Sequence, residues 1–105
     1  MKAAVLNKAE DLKIIDLEMP KARDGEIIMK VKSALTCGTD VKTFRRGHPT
    51  IPFGGNKVAF GHEGSGIVYE VGSGVSNFKV GDRIAAHNTA PCHSCYSCRV
   101  GDYSM

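Results

Sequence analysis

Apolar residues along this chain come in short bursts separated by turn-forming residues, with no long helical stripe. Two such runs, Lys2 to Asn7 and Leu12 to Leu17, flank Lys8-Ala9-Glu10-Asp11 and predict a hairpin. Arg23-Asp24-Gly25-Glu26 is a turn signal. After it Ile27, Met29, Val31, Ser33 and Leu35 alternate with Ile28, Lys30, Lys32 and Ala34, the period of a half-buried strand. From Asp40 to Arg46 the period changes: Val41 and Phe44 lie three apart, Thr39 or Asp40 can cap the start, and Gly47 can end it. At most two helical turns are expected there.

The stretch His48 to Lys57 holds two prolines and Gly54-Gly55 and reads as a loop. Gly66 to Val71 reads as a strand, Gly72 to Phe78 as a turn-rich connection, and Arg83 to His87 as another strand. The tail from Asn88 is expected to be irregular. These elements predict an antiparallel, turn-rich β domain, a barrel or a sandwich.

Composition narrows this picture only slightly. A chain of 105 residues with 42% hydrophobic and 24% charged content fits one folded domain, and 12 glycines suit many tight turns. The net charge of +3 is too mild for nucleic acid, and Lys42, Arg45 and Arg46 read as a solvated helix face. Met1 to Lys8 lacks the apolar core of a secretory signal, and no run nears the roughly 18 apolar residues of a membrane span. The expected compartment is the reducing cytoplasm, where clustered cysteines hold metal more often than they form disulfides.

The chemistry lies in two clusters. Cys92, Cys95 and Cys98 form a C-x-x-C-x-x-C ladder, a spacing that gathers thiolates on one soft cation such as zinc. An iron–sulfur run would continue with a cysteine and proline where Asp102 and Tyr103 stand. A zinc ribbon needs a second C-x-x-C that is absent. Inert thiols or a disulfide stay open as alternatives. Three thiolates leave a fourth position for water, His93 or another chain, and His93 is disfavoured because it adjoins Cys92, where neighbouring side chains diverge.

The second cluster is Cys37-Gly38-Thr39-Asp40 with His62-Glu63 inside Gly61-His62-Glu63-Gly64-Ser65-Gly66. Thiolate, imidazole and carboxylate are the ligand types of a catalytic zinc that keeps one position open. Either fragment alone is weak: a single cysteine at a strand end is more often a small buried hydrophobe, and a His-Glu pair ordinary surface.

The wider pattern is more specific. Gly61-His62-Glu63-x-x-Gly66-x5-Gly72-x-x-Val75 runs into Val80-Gly81-Asp82-Arg83-Ile84. With Cys37-Gly38-Thr39-Asp40 and the ladder, it resembles the zinc-containing medium-chain alcohol and polyol dehydrogenases, on their sorbitol and threonine dehydrogenase side. The resemblance covers the whole chain. It implies a mainly β, GroES-like, partly open antiparallel barrel with one or two short helical turns, incomplete relative to the family's catalytic domain. Residues 1–105 would be the N-terminal portion of that domain, with 86–105 opening its structural-zinc lobe.

Site roles follow from the same resemblance. Cys37 and His62 would ligate a catalytic zinc, with Glu63 a neighbouring carboxylate that ligates or exchanges with water. Thr39 would bond the substrate hydroxyl and begin a proton relay, and Asp40 would orient the imidazole of His62. Cys92, Cys95 and Cys98 would be the first three ligands of a structural zinc, whose fourth cysteine falls just beyond Met105. Where several relatives end the relay at a histidine, Lys42 stands here, so proton exit is expected through water or His48. The implied reaction is reversible hydride transfer from a zinc-bound alkoxide to NAD or NADP, on a small alcohol or polyol, in a homo-oligomer without nucleic-acid or membrane partners. Gly64-Ser65-Gly66 and Gly72-Ser73-Gly74 both lack the third glycine of a dinucleotide fingerprint, so the Rossmann cofactor domain is absent from these residues and the piece alone is expected to be inactive. The alternative is a stand-alone zinc-binding or interaction module of GroES-like fold without catalysis. Continuation of the reading frame through a cysteine and a Gly-x-Gly-x-x-Gly separates the two.

Overall fold

The computed structural model describes residues 1–47 and 60–103, so the expected loop at His48 to Lys57 lies outside the described residues. Strands β1 (Lys2–Lys8) and β2 (Asp11–Asp16) form the predicted antiparallel hairpin, joined through Glu10 at a positive φ of 62°. Strands β3 (Ile27–Leu35), β4 (Glu63–Val71) and β5 (Arg83–Ala85) form a second antiparallel sheet in the order β3-β4-β5. The described sheets are open, with no closed barrel among the described residues.

Two helices complete the described elements, α1 (Gly38–Arg46) and α2 (Tyr96–Arg99). Helix α1 is longer than expected, because its cap is Cys37, earlier than either Thr39 or Asp40. Helix α2 corrects the expectation of an irregular tail: one turn fits inside the ladder, with Arg99 N–H donating to Cys95 O at 3.0 Å. Strand β4 begins at Glu63, three residues before the expected start. Gly64 and Ser65, ahead of the expected start, are strand residues as well. A Cβ at Gly66 would lie 2.2 Å from Lys30 O, so glycine there permits β4 to close on β3.

The apolar core is small. Val5, Leu6 and Val68 are its buried hydrophobic residues among those described, and Val68 is the most enclosed, at 1% exposure. Among the described residues, two backbone hydrogen bonds tie the hairpin to the rest. Glu10 N–H donates to Phe44 O in α1 at 2.8 Å, and Phe60 N–H donates to Ala4 O in β1 at 2.7 Å.

Candidate metal centres

Sheet register assembles the first cluster. Leu35, the last residue of β3, pairs with Glu63, the first of β4. The chain just past β3 therefore meets the chain just before β4, which brings Cys37 beside His62 across 25 positions. Gly61 turns at a positive φ of 104° immediately before the histidine, a conformation that disfavours residues with a Cβ.

Helix α1 fixes the thiol. Cys37 is extended (φ −112°, ψ −179°), and its Sγ accepts from Thr39 N–H at 3.3 Å. Asp40, 4% exposed, returns the bond: its Oδ2 accepts from Cys37 N–H at 2.9 Å. This is a capping box with a thiol in the place usually held by a hydroxyl. An acidic residue in the first turn and Arg45 and Arg46 in the last also suit the helix dipole.

The same Asp40 orients the imidazole. Its Oδ1 lies 3.1 Å from His62 Nδ1, which gives Nδ1 the proton and leaves the Nε2 lone pair free. Nε2 stands 3.5 Å from Cys37 Sγ and 3.7 Å from Glu63 Oε1. Tetrahedral ligation at about 2.3 Å to sulfur and about 2.0 Å to nitrogen sets those donors about 3.5 Å apart, so the thiol–imidazole pair fits zinc as it stands. By proximity the group is Cys37, Asp40 and His62, whose ligand atoms all lie within 4.8 Å of one another, and Glu63 is not part of it. Both Asp40 oxygens are already engaged, however, so the half-exposed Glu63 is the freer carboxylate.

Thr39 is exposed at the start of α1 with its hydroxyl near the cluster in sequence, and Lys42 is exposed on the same helix. His48, the other expected proton exit, lies outside the described residues.

The ladder forms the second cluster. Its three sulfurs lie within 4.8 Å of one another, with Cys92 and Cys98 Sγ 3.8 Å apart. Two thiolates on one tetrahedral zinc stand about 3.8 Å apart, so this pair also fits. His93 takes a positive φ of 56°, which turns Cys95 N–H back toward Cys92 Sγ at 3.4 Å. Its ring meets Tyr103 edge-on, centroids 6.2 Å apart, and it does not join the three sulfurs. Ser94 Oγ–H donates to Cys92 Sγ at 3.4 Å. Donation from the Ser94 hydroxyl, then from the backbone N–H groups of Ser94 and Cys95, brings the Cys92 thiol down to about 6. Ser94 escaped the reading of the sequence; a hydroxyl residue two places after a ladder cysteine was its only signal.

Residues 23–105 match the alcohol dehydrogenase GroES-like domain. The sorbitol dehydrogenase of Bombyx mori is 39% identical over 103 residues, which cover 98% of this chain and 30% of that protein. A zinc-dependent alcohol dehydrogenase of Streptococcus pneumonia, solved in its apo form, superposes with a TM-score of 0.78 at 38% identity, over 96% of this chain and 28% of that one. An alcohol dehydrogenase of Escherichia coli CFT073, solved with NADH, gives a TM-score of 0.82 at 37% identity, over 97% and 28% of the two chains. The chain thus spans less than a third of the relatives it matches. Fold, motif order and sequence likeness agree, and the chain belongs to the zinc-containing medium-chain alcohol and polyol dehydrogenase family through its GroES-like domain.

Proposed function

We propose that this chain supplies the catalytic-zinc half of an NAD(P)-linked dehydrogenase acting on a small alcohol or polyol in the cytoplasm. The observation that carries the reading is the Cys37–His62 pair, 3.5 Å apart, with Asp40 behind the imidazole. Cys37, His62 and Glu63 would hold a catalytic zinc, and Cys92, Cys95 and Cys98 a structural one. Bound there, the zinc would supply Lewis acidity toward the alcohol oxygen, and NAD(P) would supply the hydride acceptor.

The chain's own residues have defined tasks in this scheme. Asp40 keeps the His62 proton on Nδ1, so Nε2 stays available as a donor. Thr39 N–H donates to the Cys37 sulfur and holds it at the start of the helix. The Thr39 hydroxyl, at the same helix start, accepts the substrate hydroxyl proton and passes it to solvent. Lys42 stands where several relatives have the relay histidine, so the proton would leave through water or His48.

Residues 1–105 are the N-terminal portion of the catalytic domain in this reading, with 86–105 opening the structural lobe. They contain no dinucleotide fingerprint, so alone they transfer no hydride. The test is polyol-dependent NAD(P) reduction by the product of the complete reading frame, beside the 105-residue chain. Zinc-dependent activity in the first and none in the second is expected. Turnover by the 105-residue chain alone, or an inert zinc-loaded full product, would overturn the reading.

A further inference from the structure

We infer that Cys92 and Cys98 form a peroxide-oxidisable dithiol whose disulfide excludes metal from the ladder. The cysteines of the described chain are all free, and the 92–98 pair already stands with its sulfurs 3.8 Å apart. A disulfide requires about 2.0 Å, so the sulfurs need to close by about 1.8 Å. Cys92 directly precedes the left-handed His93 and Cys98 lies on α2, so a bond between them would close a short loop.

Exposure separates their parts. Cys92 is exposed, and its Sγ accepts from Ser94 Oγ–H and Cys95 N–H, both at 3.4 Å. Cys98 is half-buried on α2. Cys95, the N-cap of α2, has its N–H committed to the Cys92 sulfur. Hydrogen peroxide therefore reaches Cys92 before the half-buried Cys98. Its O–O bond breaks, an S–O bond forms at Cys92, and one water leaves. The Cys98 sulfur then attacks the Cys92 sulfur, the S–O bond breaks, and a second water carries away the remaining oxygen. Two thiols give up two electrons and two protons, and one peroxide is reduced to two waters.

The consequence for metal rests on the ladder being the zinc site proposed above. A zinc ligand must be a thiolate, and the disulfide removes two of three. Oxidation would then release this zinc while the Cys37 cluster keeps its own.

The test uses the chain reduced, freed of reductant, and either metal-free or zinc-loaded, then given equimolar hydrogen peroxide. The tryptic segment between Arg83 and Arg99 carries all three ladder cysteines, so pairing is read by which of them a thiol alkylator still labels. The expected result is a loss of two of the 4 thiols, with Cys37 and Cys95 still labelled. Zinc-loaded chain should release one ion to a chromogenic chelator, and dithiothreitol should restore both thiols. Cys98→Ser should stop at a Cys92 sulfenic acid that dimedone traps. A disulfide that includes Cys95, sulfinic acid without any disulfide, or bound zinc unchanged after oxidation would each overturn the inference. If Cys92→Ser does not reduce zinc uptake but the 92–98 disulfide forms, the dithiol stands and the zinc reading of the ladder falls.

Discussion

Asp40 carries two tasks on one carboxylate: Oδ2 closes the cap of α1 and Oδ1 holds the His62 tautomer. An amide in its place separates them. In Asp40→Asn the amide oxygen can still accept from Cys37 N–H, but its NH2 then faces His62 Nδ1. The imidazole must move its proton to Nε2, the donor a metal needs. Asp40→Asn is expected to keep the far-ultraviolet circular dichroism of the parent while zinc affinity falls about 10–100-fold, read by chelator competition. Its Nδ1 and Nε2 chemical shifts should exchange character, a signature that loss of packing alone does not produce.

At the level of elements, the hairpin was legible from its two apolar runs and β3 from its alternating sequence, although burial along β3 does not alternate: Ile27 to Met29 are half-buried and Lys30 to Leu35 exposed. Ser33 and Lys32 sit across a bulge in β3 without hiding that pattern. The start of β4 was not legible, since Gly64-Ser65-Gly66 carries no side-chain pattern and its glycine answers to the Lys30 backbone, a distant partner. The α1 cap was misplaced because cysteine is not among the usual capping residues, although the acidic residue three places on was in plain view. The residue types of the two clusters were readable, and their distances were not: those come from the Leu35–Glu63 register and the left-handed His93. Gly66→Ala tests the close approach. Its Cβ would meet the Lys30 backbone at 2.2 Å and Met29 Cγ at 3.0 Å, so a loss of about 1–3 kcal/mol is expected in a denaturant melt. In the hairpin, Asn7 Nδ2–H donates to Asp11 Oδ2 at 2.8 Å and, with Lys13, lowers the Asp11 carboxyl below its ordinary value. A lowered native value stabilises the fold above the ordinary carboxylate range, and that contribution disappears as pH falls through the native value. Asn7→Ala should raise the Asp11 midpoint in an NMR titration; no change would show that Lys13 suffices.

At the scale of the molecule, few apolar residues among those described are buried and many are exposed, including Ile14 at 66% and Leu35 at 69%. With a core this slight, metal held at the proposed sites would carry a large share of the stability. For zinc held at one hundred times its dissociation constant, the expected gain is about 2.7 kcal/mol per independent site. Chelation should therefore lower the thermal midpoint clearly, and Cys37→Ser and Cys92→Ser should each remove part of that difference. A midpoint indifferent to chelator would assign stability to the sheets alone.

The two bonds that fasten the hairpin acquire a meaning at this scale. One ends on Phe44 in the helix that follows Cys37, and the other begins at Phe60, two residues before His62. Strands β1 and β2 thus work as callipers, gripping both arms of the first cluster from outside it. Warming that frays the first sixteen residues should widen the jaws and weaken metal capture at Cys37 and His62 while β3 and β4 remain paired.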